Sequence, residues 1–379
     1  MAVMHGTEAV AIDPETGDDE EVLPEEERRR GRVFRLRELL GIEYRWHGTI
    51  NKAWLLYDDG VSTRGYFPVD NWGRSSRIAV EGQTGEFNGW RFGSRLEVGW
   101  DPYSTKNINQ IDQSVDWKAN LRKIEVGLFS DDYGRFFFGQ GSMASDGSAE
   151  VDLSRTTLAG QSRVERIAGG QFYRRKNGDL SSVAVRDTFT NMDGFGRRMR
   201  IRYGTPNWNG LRLSTSVGKT FFPDKLDNLG WDVALRYGDT LGPFQLASAV
   251  SYARNFERDL NTISGSASVL HIPSGISVTF AAGWNDTRNE PQEEYFYGKL
   301  GYQAQWFDFG TTAFSIDSYQ GSAIDIDNDT STSHGFQFTQ EVENWQTTFY
   351  LGARRYEYDA PGESFDDGLA VITGASFRF

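Results

Sequence analysis

Arg198, Arg200 and Arg202 alternate with Met199, Ile201 and Tyr203. In an extended strand that spacing puts three guanidiniums on one face and three apolar side chains on the other. Against hydrocarbon each charge would cost about 2–4 kcal/mol at the bilayer midplane, so this face must look onto water or carboxylates. The same parity turns Arg77 away from Ile78 and Val80, and Arg122 away from Leu121. Arg45, Arg91, Arg95 and Arg212 fall on such polar faces too. Carboxylates are at hand in GQGSMASDGSAEVDLS, residues 139–154, as Asp146, Glu150 and Asp152. Opposed rows of fixed charge attract and orient solutes without making or breaking bonds.

Other chemistries find little support. The four histidines (His5, His47, His271, His334) are scattered, whereas an imidazole or zinc site needs convergent ones. The chain has no cysteine, which excludes disulfides, thiolate metal sites and thiol nucleophiles. DIDNDTSTS (325–333) alternates oxygen ligands but lacks the glycine and distal glutamate of an EF-hand. It reads as a solvated outer loop, with loosely bound calcium as the most that such loops would take. DGFG and GQG are too short to suggest phosphate binding.

The net charge of −13 argues against nucleic acid as a partner, since phosphate neutralisation needs a basic stripe. That charge is concentrated at the start. Ten acids and no Lys or Arg precede Arg28, leaving the rest of the 379 residues near neutrality. Residues 1–40 therefore read as an acidic tail with a short basic amphipathic stretch, EEERRRGRVFRLRELLG, and residues 41–379 as one barrel domain. The opening MAVMHGTEAV shows no secretory signal pattern. Mean hydropathy is −0.55 and no apolar run approaches the length of a membrane helix.

The elements that must position the arginines are strands. In GWRFGSRLEVGW, Trp90, Phe92, Leu96, Val98 and Trp100 face one way, and Arg91, Gly93, Arg95, Glu97 and Gly99 the other. Comparable alternation recurs from about residue 41 to the end. Seven short turn strings (TGEFNG, SDDYG, TPNWNG, GDTLGPF, HIPSG, QWFDF, VENW) alternate with eight longer connections, which predicts sixteen strands. A soluble sandwich, jelly roll or propeller has no reason to segregate short turns from long loops. An antiparallel transmembrane barrel does. Trp54, Trp90, Trp100, Trp208, Trp231, Trp306 and Trp345 lie close to strand ends, where aromatic girdles meet the lipid–water interfaces. At the end of GLAVITGASFRF, Leu369, Val371, Thr373, Ala375, Phe377 and Phe379 share one face, as in the closing strand of bacterial outer-membrane proteins.

With these features the sequence resembles the general diffusion porins of Gram-negative bacteria. The likeness is carried by SRIAVEGQTG (76–85), LRKIEVGLFSDDYGRFFFGQGS (121–142), RMRIRYGTPNWNGLRLSTSVG (198–218) and the terminal Phe379, and it covers about residues 41–379. The resemblance implies an all-β, sixteen-stranded antiparallel transmembrane barrel whose third loop folds into the lumen and narrows it. It implies basic wall residues on strands two, four and six, here Arg77, Arg122 and Arg198 or Arg200, opposite Asp146, Glu150 and Asp152. Arg45 and Arg95 are further candidates for the basic side, and the family's first-strand basic position falls at Thr49 or a neighbour. It also implies a homotrimer in the bacterial outer membrane, in contact with lipid bilayer and lipopolysaccharide and passing small hydrophilic solutes. Outward Gly48, Gly82 and Ala119 are small enough for close packing between copies. The alternative functions are a channel selective for anions or oligosaccharides, favoured by Arg155, Arg163, Arg166, Arg174 and Arg175 in the long third loop, and a soluble carbohydrate-binding β protein.

Overall fold

The computed structural model describes residues 42–220, 229–288 and 290–379. The acidic tail expected over residues 1–40 lies outside the described residues. Sixteen strands build the wall: β1 (Ile42–Asp58), β2 (Ser76–Thr84), β3 (Arg91–Trp100), β4 (Ala119–Ser130), β5 (Gly134–Ser142), β6 (Arg197–Gly204), β7 (Leu211–Lys219) and β8 (Gly230–Leu241). They continue as β9 (Phe244–Asn255), β10 (Leu260–His271), β11 (Ile276–Thr287), β12 (Glu293–Phe307), β13 (Gly310–Ser322), β14 (Thr330–Val342), β15 (Thr347–Ala360) and β16 (Gly368–Arg378). Each pairs antiparallel with its chain neighbours. β1 closes the ring on β16, in register from Thr49 opposite Arg378 to Asp58 opposite Leu369. Closure leaves no sheet edge for lipid to satisfy.

The alternation predicted from sequence is an inside-out one. Outward side chains are apolar and bare, with Phe280 64% and Ile316 58% exposed, whereas inward Ser264, Asp317, Gln337 and Arg354 are buried. A continuous apolar band of this kind is a poor surface in water and a good one in lipid. The terminal Phe379 ring lies over Gly48, where a Cβ would collide with it at 2.5 Å, and the Tyr44 ring covers Gly82. Gly48 and Gly82 are thus cradles for aromatic rings of the same chain rather than bare patches.

Short and long connections alternate as expected, except that the β9–β10 link (256–259) is as short as the β10–β11 turn (272–275). β2 has a detached outer piece. The strand Thr63–Val69 pairs with the end of β1, and the 3-10 turn Trp72–Arg74 then separates it from Ser76.

Candidate functional site: the inner wall and the segment 143–196

The longest connection, between β5 and β6, is tied to inward-facing side chains around much of the ring. On β8, Asp232 accepts from the Ser145 backbone N–H (2.8 Å) and hydroxyl (2.6 Å), while Arg236 donates to the carbonyls of Ala144 and Asp146, both at 2.7 Å. On β10, Ser266 and Ser268 hydroxyls accept from the N–H groups of Val151 (2.9 Å) and Leu153 (3.0 Å). Thr156 meets Ser315 of β13 at 2.6 Å, Thr339 of β14 donates to the Arg155 carbonyl (2.9 Å), and Tyr356 of β15 donates to that of Val164 (2.7 Å). The returning limb is held likewise: Ser331 donates to the Thr188 carbonyl (2.5 Å) and Tyr319 to that of Thr190 (2.7 Å). A segment without regular ladders must satisfy its buried backbone somewhere, and here the wall's hydroxyls do it.

Between these anchors lies an apolar core. Val164, Ile167, Val185 and Phe189 of the segment pack with Tyr295, Tyr319, Tyr350 and Tyr356 of the wall. Bordering it, Arg354 and Asp317 form a fully buried ion pair at 2.6 Å, and Gln337 (2.8 Å) and Tyr297 (2.9 Å) also donate to the Asp317 carboxylate. Farther along, the hairpin Phe172–Arg174 with Leu180–Ala184 reaches the β15–β16 connection, where Arg175 meets Glu363 (3.0 Å) and Lys176 meets Asp366 (2.8 Å).

The candidate basic residues divide into groups. Arg95 (2.5 Å) and Arg122 both pair with Glu97 of β3, and Arg77 and Lys123 also act on that carboxylate's charge. Arg200 pairs with Glu125 of β4 and stands over the Phe137 ring, as does Arg202. Arg198 stacks on Phe195 at 3.7 Å. Arg45 is exposed on the inner face of β1, level with Glu81 of β2.

The candidate acids are placed differently from one another. Asp146 is buried near enough to Arg200 to act on its charge. Glu150 accepts from Arg166 (2.8 Å) and Asn191 (3.2 Å) of its own segment. Asp152 accepts from Lys299 of β12 at 2.7 Å. Sequence parity did not single out Lys123, Glu125, Lys299, Asp232 or Arg236. Lys299, Asp232 and Arg236 carried the signal, a charged residue on an inward position of a clear strand. Within 143–196, burial pushes the Asp193 carboxyl well above the usual carboxylate range, and the nearby Glu150 and Asp146 push it further. It accepts from the backbone N–H groups of Gly147 and Ala149, both at 2.8 Å, and so joins the two limbs of the segment.

In the tract singled out for calcium, Asp329 accepts from the backbone N–H groups of Ile324 (2.9 Å), Asp325 (2.9 Å) and Ile326 (3.0 Å). That carboxylate braces the loop. Among the described residues no group of three or more His, Asp or Glu is placed to hold a metal ion. None of their helices is long and apolar enough to cross a membrane, which says nothing of strands.

A closed sixteen-stranded barrel with a lipid-compatible exterior and a charged interior defines an outer-membrane channel. The Gram-negative porin family matches residues 46–361, and the chain belongs to it. It is an outer-membrane barrel for passive diffusion of ions and small hydrophilic solutes. No curated protein matches the sequence. Among solved structures it is similar to an anion-selective porin from Comamonas acidovorans (TM-score 0.61, 12% identity, 89% of this chain and 100% of that one). It is also similar to the trimer form of Vibrio cholerae OmpT (0.56, 11%, 89% and 100%) and to Salmonella typhi OmpF in complex with daunomycin (0.53, 12%, 89% and 98%). At these identities the likeness is one of fold.

Proposed function

We propose that residues 143–196 are the inward-folded third loop that narrows this channel, and that the passage left beside it favours anions. The observation that carries the preference is the charge of the inner wall on β2–β8. Arg77, Arg91, Arg95, Arg122, Lys123, Arg198, Arg200, Arg202, Arg212 and Arg236 stand there against Glu81, Glu97, Glu125 and Asp232. The loop acids do not restore balance, because Glu150 is met by Arg166 and Asp152 by Lys299. In this reading Arg77, Arg95, Arg122, Arg198 and Arg200 form the basic side of the constriction, with Arg45 nearer its short-turn end. Asp146, Glu150 and Asp152 form the acidic side. The transverse field orients polar solutes, and the excess of guanidiniums raises the local concentration of anions.

Transport by diffusion needs no bond chemistry, and none is assigned to the chain. Assembly as a homotrimer in lipid and lipopolysaccharide is supported by family membership and by the trimeric form of one structurally similar protein. The test of the preference is the zero-current potential of the reconstituted channel across a KCl gradient. Chloride permeating faster than potassium is the expected result, and the reverse sign would refute it.

A further inference from the structure

The chain is interrupted at the outer end of β2, and the interruption is held from several sides. Between Val69 and Ser76 it leaves the strand for the 3-10 turn Trp72–Arg74. Asn71 caps that turn, accepting from the Gly73 N–H (2.8 Å) and donating to the Leu158 carbonyl of the segment 143–196 (2.9 Å). The Trp72 N–H donates to the Thr105 hydroxyl (3.1 Å), which donates in turn to the Arg166 carbonyl (2.7 Å). Asn51 of β1 donates to the Arg74 carbonyl (2.9 Å). One short turn is thus fixed by a wall strand, the β3–β4 connection and the segment.

What the turn delivers is an indole. Trp72 lies so close to Gly169 that a Cβ there would stand 2.8 Å from the ring. Two cations are held over the same ring, Lys106 Nζ at 5.0 Å from its centroid and the Arg163 guanidinium at 5.3 Å, both within cation–π range. Lys106 comes from the β3–β4 connection and Arg163 from the segment. The Lys106 carbonyl accepts from Arg186 (2.6 Å), and Glu165 orients Arg163 at 3.0 Å. The group stays open to solvent: the indole is half-buried, Lys106 is exposed and Arg163 keeps 30% of its side-chain surface. Chain order sets its level, since Trp72 and Arg74 come just before Ser76 and Arg77 on the way in from the outer mouth.

A cation seated over an aromatic face is fixed in place and still turns N–H donors away from the ring. Those donors suit a carboxylate, and the uncovered edge of the indole suits a second ring packed edge to face. We propose that Trp72, Lys106 and Arg163 form an antechamber subsite for aromatic carboxylates, which dock there before entering the narrow passage. The subsite rests on the reading of this chain as an anion-favouring channel and names a class of organic solute for it.

The experiment is KCl conductance of the reconstituted channel in planar bilayers, titrated with benzoate or with acetate. Both probes carry one carboxylate, and only benzoate has a ring. On the native chain benzoate should reduce the current at a concentration about tenfold below that of acetate, a gap of one decade of affinity. Trp72→Leu should bring the two probes together, while Trp72→Phe, which keeps an aromatic ring, should preserve most of the gap. Lys106→Gln should weaken the action of benzoate. Equal action of the two probes on the native chain, or a gap that survives Trp72→Leu, would overturn the subsite. Should Trp72→Leu fail to fold, Lys106→Gln decides from its exposed position: weaker benzoate action supports the subsite, and none lost removes it. Potassium preference in the native chain would sink both readings, whereas chloride preference without the benzoate gap would overturn the subsite alone.

Discussion

The two halves of the barrel interior are built from the same alternation and end as different materials. From β10 to β16 the inward positions are mainly uncharged, rich in Ser, Thr, Gln and Tyr with Lys299 and the Arg354–Asp317 pair buried among them, and residues 143–196 pack onto them as onto a protein core, with Tyr295, Tyr319, Tyr350 and Tyr356 almost wholly covered. From β2 to β7 the inward positions carry Arg, Lys and Glu held in clusters on the wall itself. Hydroxyls on short or rigid side chains can satisfy a neighbouring backbone at little entropic cost, whereas a guanidinium beside a carboxylate stays hydrated or paired. An inward position becomes core or channel wall according to which of these it carries. The packed half should accordingly govern stability, and the charged half permeation.

The largest effect is expected where the packed half hides charge. Arg354→Met leaves Asp317 buried and uncompensated, so it should cost about 3–5 kcal/mol in guanidinium unfolding of the detergent-solubilised protein. Adding Asp317→Leu should recover most of that loss, because a buried pair replaced by apolar side chains of similar size is often neutral. Neither variant should alter the sign of ion selectivity. A selectivity change without a stability change would mean that the packed half lines the passage after all.

A smaller effect comes from the acid that joins the segment's limbs. The Asp193 carboxyl is raised above the carboxylate range by burial, then by Glu150 and Asp146. A raised acid means that the folded state holds a proton the unfolded state has released. Stability from this group is therefore greatest below the unfolded value of about 3.9 and falls as pH climbs toward the raised folded value, by at most about 1.4 kcal/mol per pH unit. Asp193→Asn should flatten that slope, as read from unfolding midpoints across the acid to neutral range. An unaltered slope would assign the pH dependence to other groups.

Much of this contrast is legible in the sequence, and what is not has physical causes. The alternation of short turns and long connections gives the sixteen strands, and strand parity gives the inward turn of Arg77, Arg95, Arg198 and Arg200, since a period of two survives any loop. Parity fails at Lys123, which stands opposite Glu97 while Leu121 stands opposite Val98. Such a β-bulge leaves no mark in a hydrophobic pattern beyond two polar residues between Leu121 and Ile124. The pairing of Glu150 with Arg166 and of Asp152 with Lys299 was equally hidden. Those contacts follow the path of a segment without repeating structure, and partners such as Arg155 and Glu341 lie 186 positions apart. Alternation likewise does not distinguish an inward tyrosine that the segment covers, such as Tyr319 or Tyr356, from one that faces open lumen.

Tyr319 sharpens the comparison at finer scale. Its hydroxyl donates to the Thr190 carbonyl at 2.7 Å and accepts from the Thr190 N–H at 3.3 Å, pinning the returning limb to β13. Tyr319→Phe keeps the ring against Phe189 and removes only these bonds. A loss of about 1 kcal/mol is expected. Amide hydrogen exchange should accelerate near Thr190 and leave β2–β6 unchanged, and uniform acceleration would argue that the two halves unfold as one.

The smallest stability effects belong to the charged half, where permeation should respond instead. Arg77→Gln leaves Glu97 with Arg95 and Arg122 as partners and opens no apolar cavity, so unfolding should shift by no more than about 1 kcal/mol. Asp146→Asn, at the segment's attachment to β8, removes an acid that acts on Arg200. The two substitutions change the charge of the passage in opposite senses: Arg77→Gln should move the zero-current potential toward cations and Asp146→Asn toward anions. Both shifts should shrink with added salt, because the Debye length falls from about 10 Å at 0.1 M to about 3 Å at 1 M. The decisive comparison is sign against sign at low salt. Shifts in the same direction, or none for either variant, would show that Arg77 and Asp146 do not face a common passage, and the division of the interior into a packed half and a conducting half would have to be redrawn.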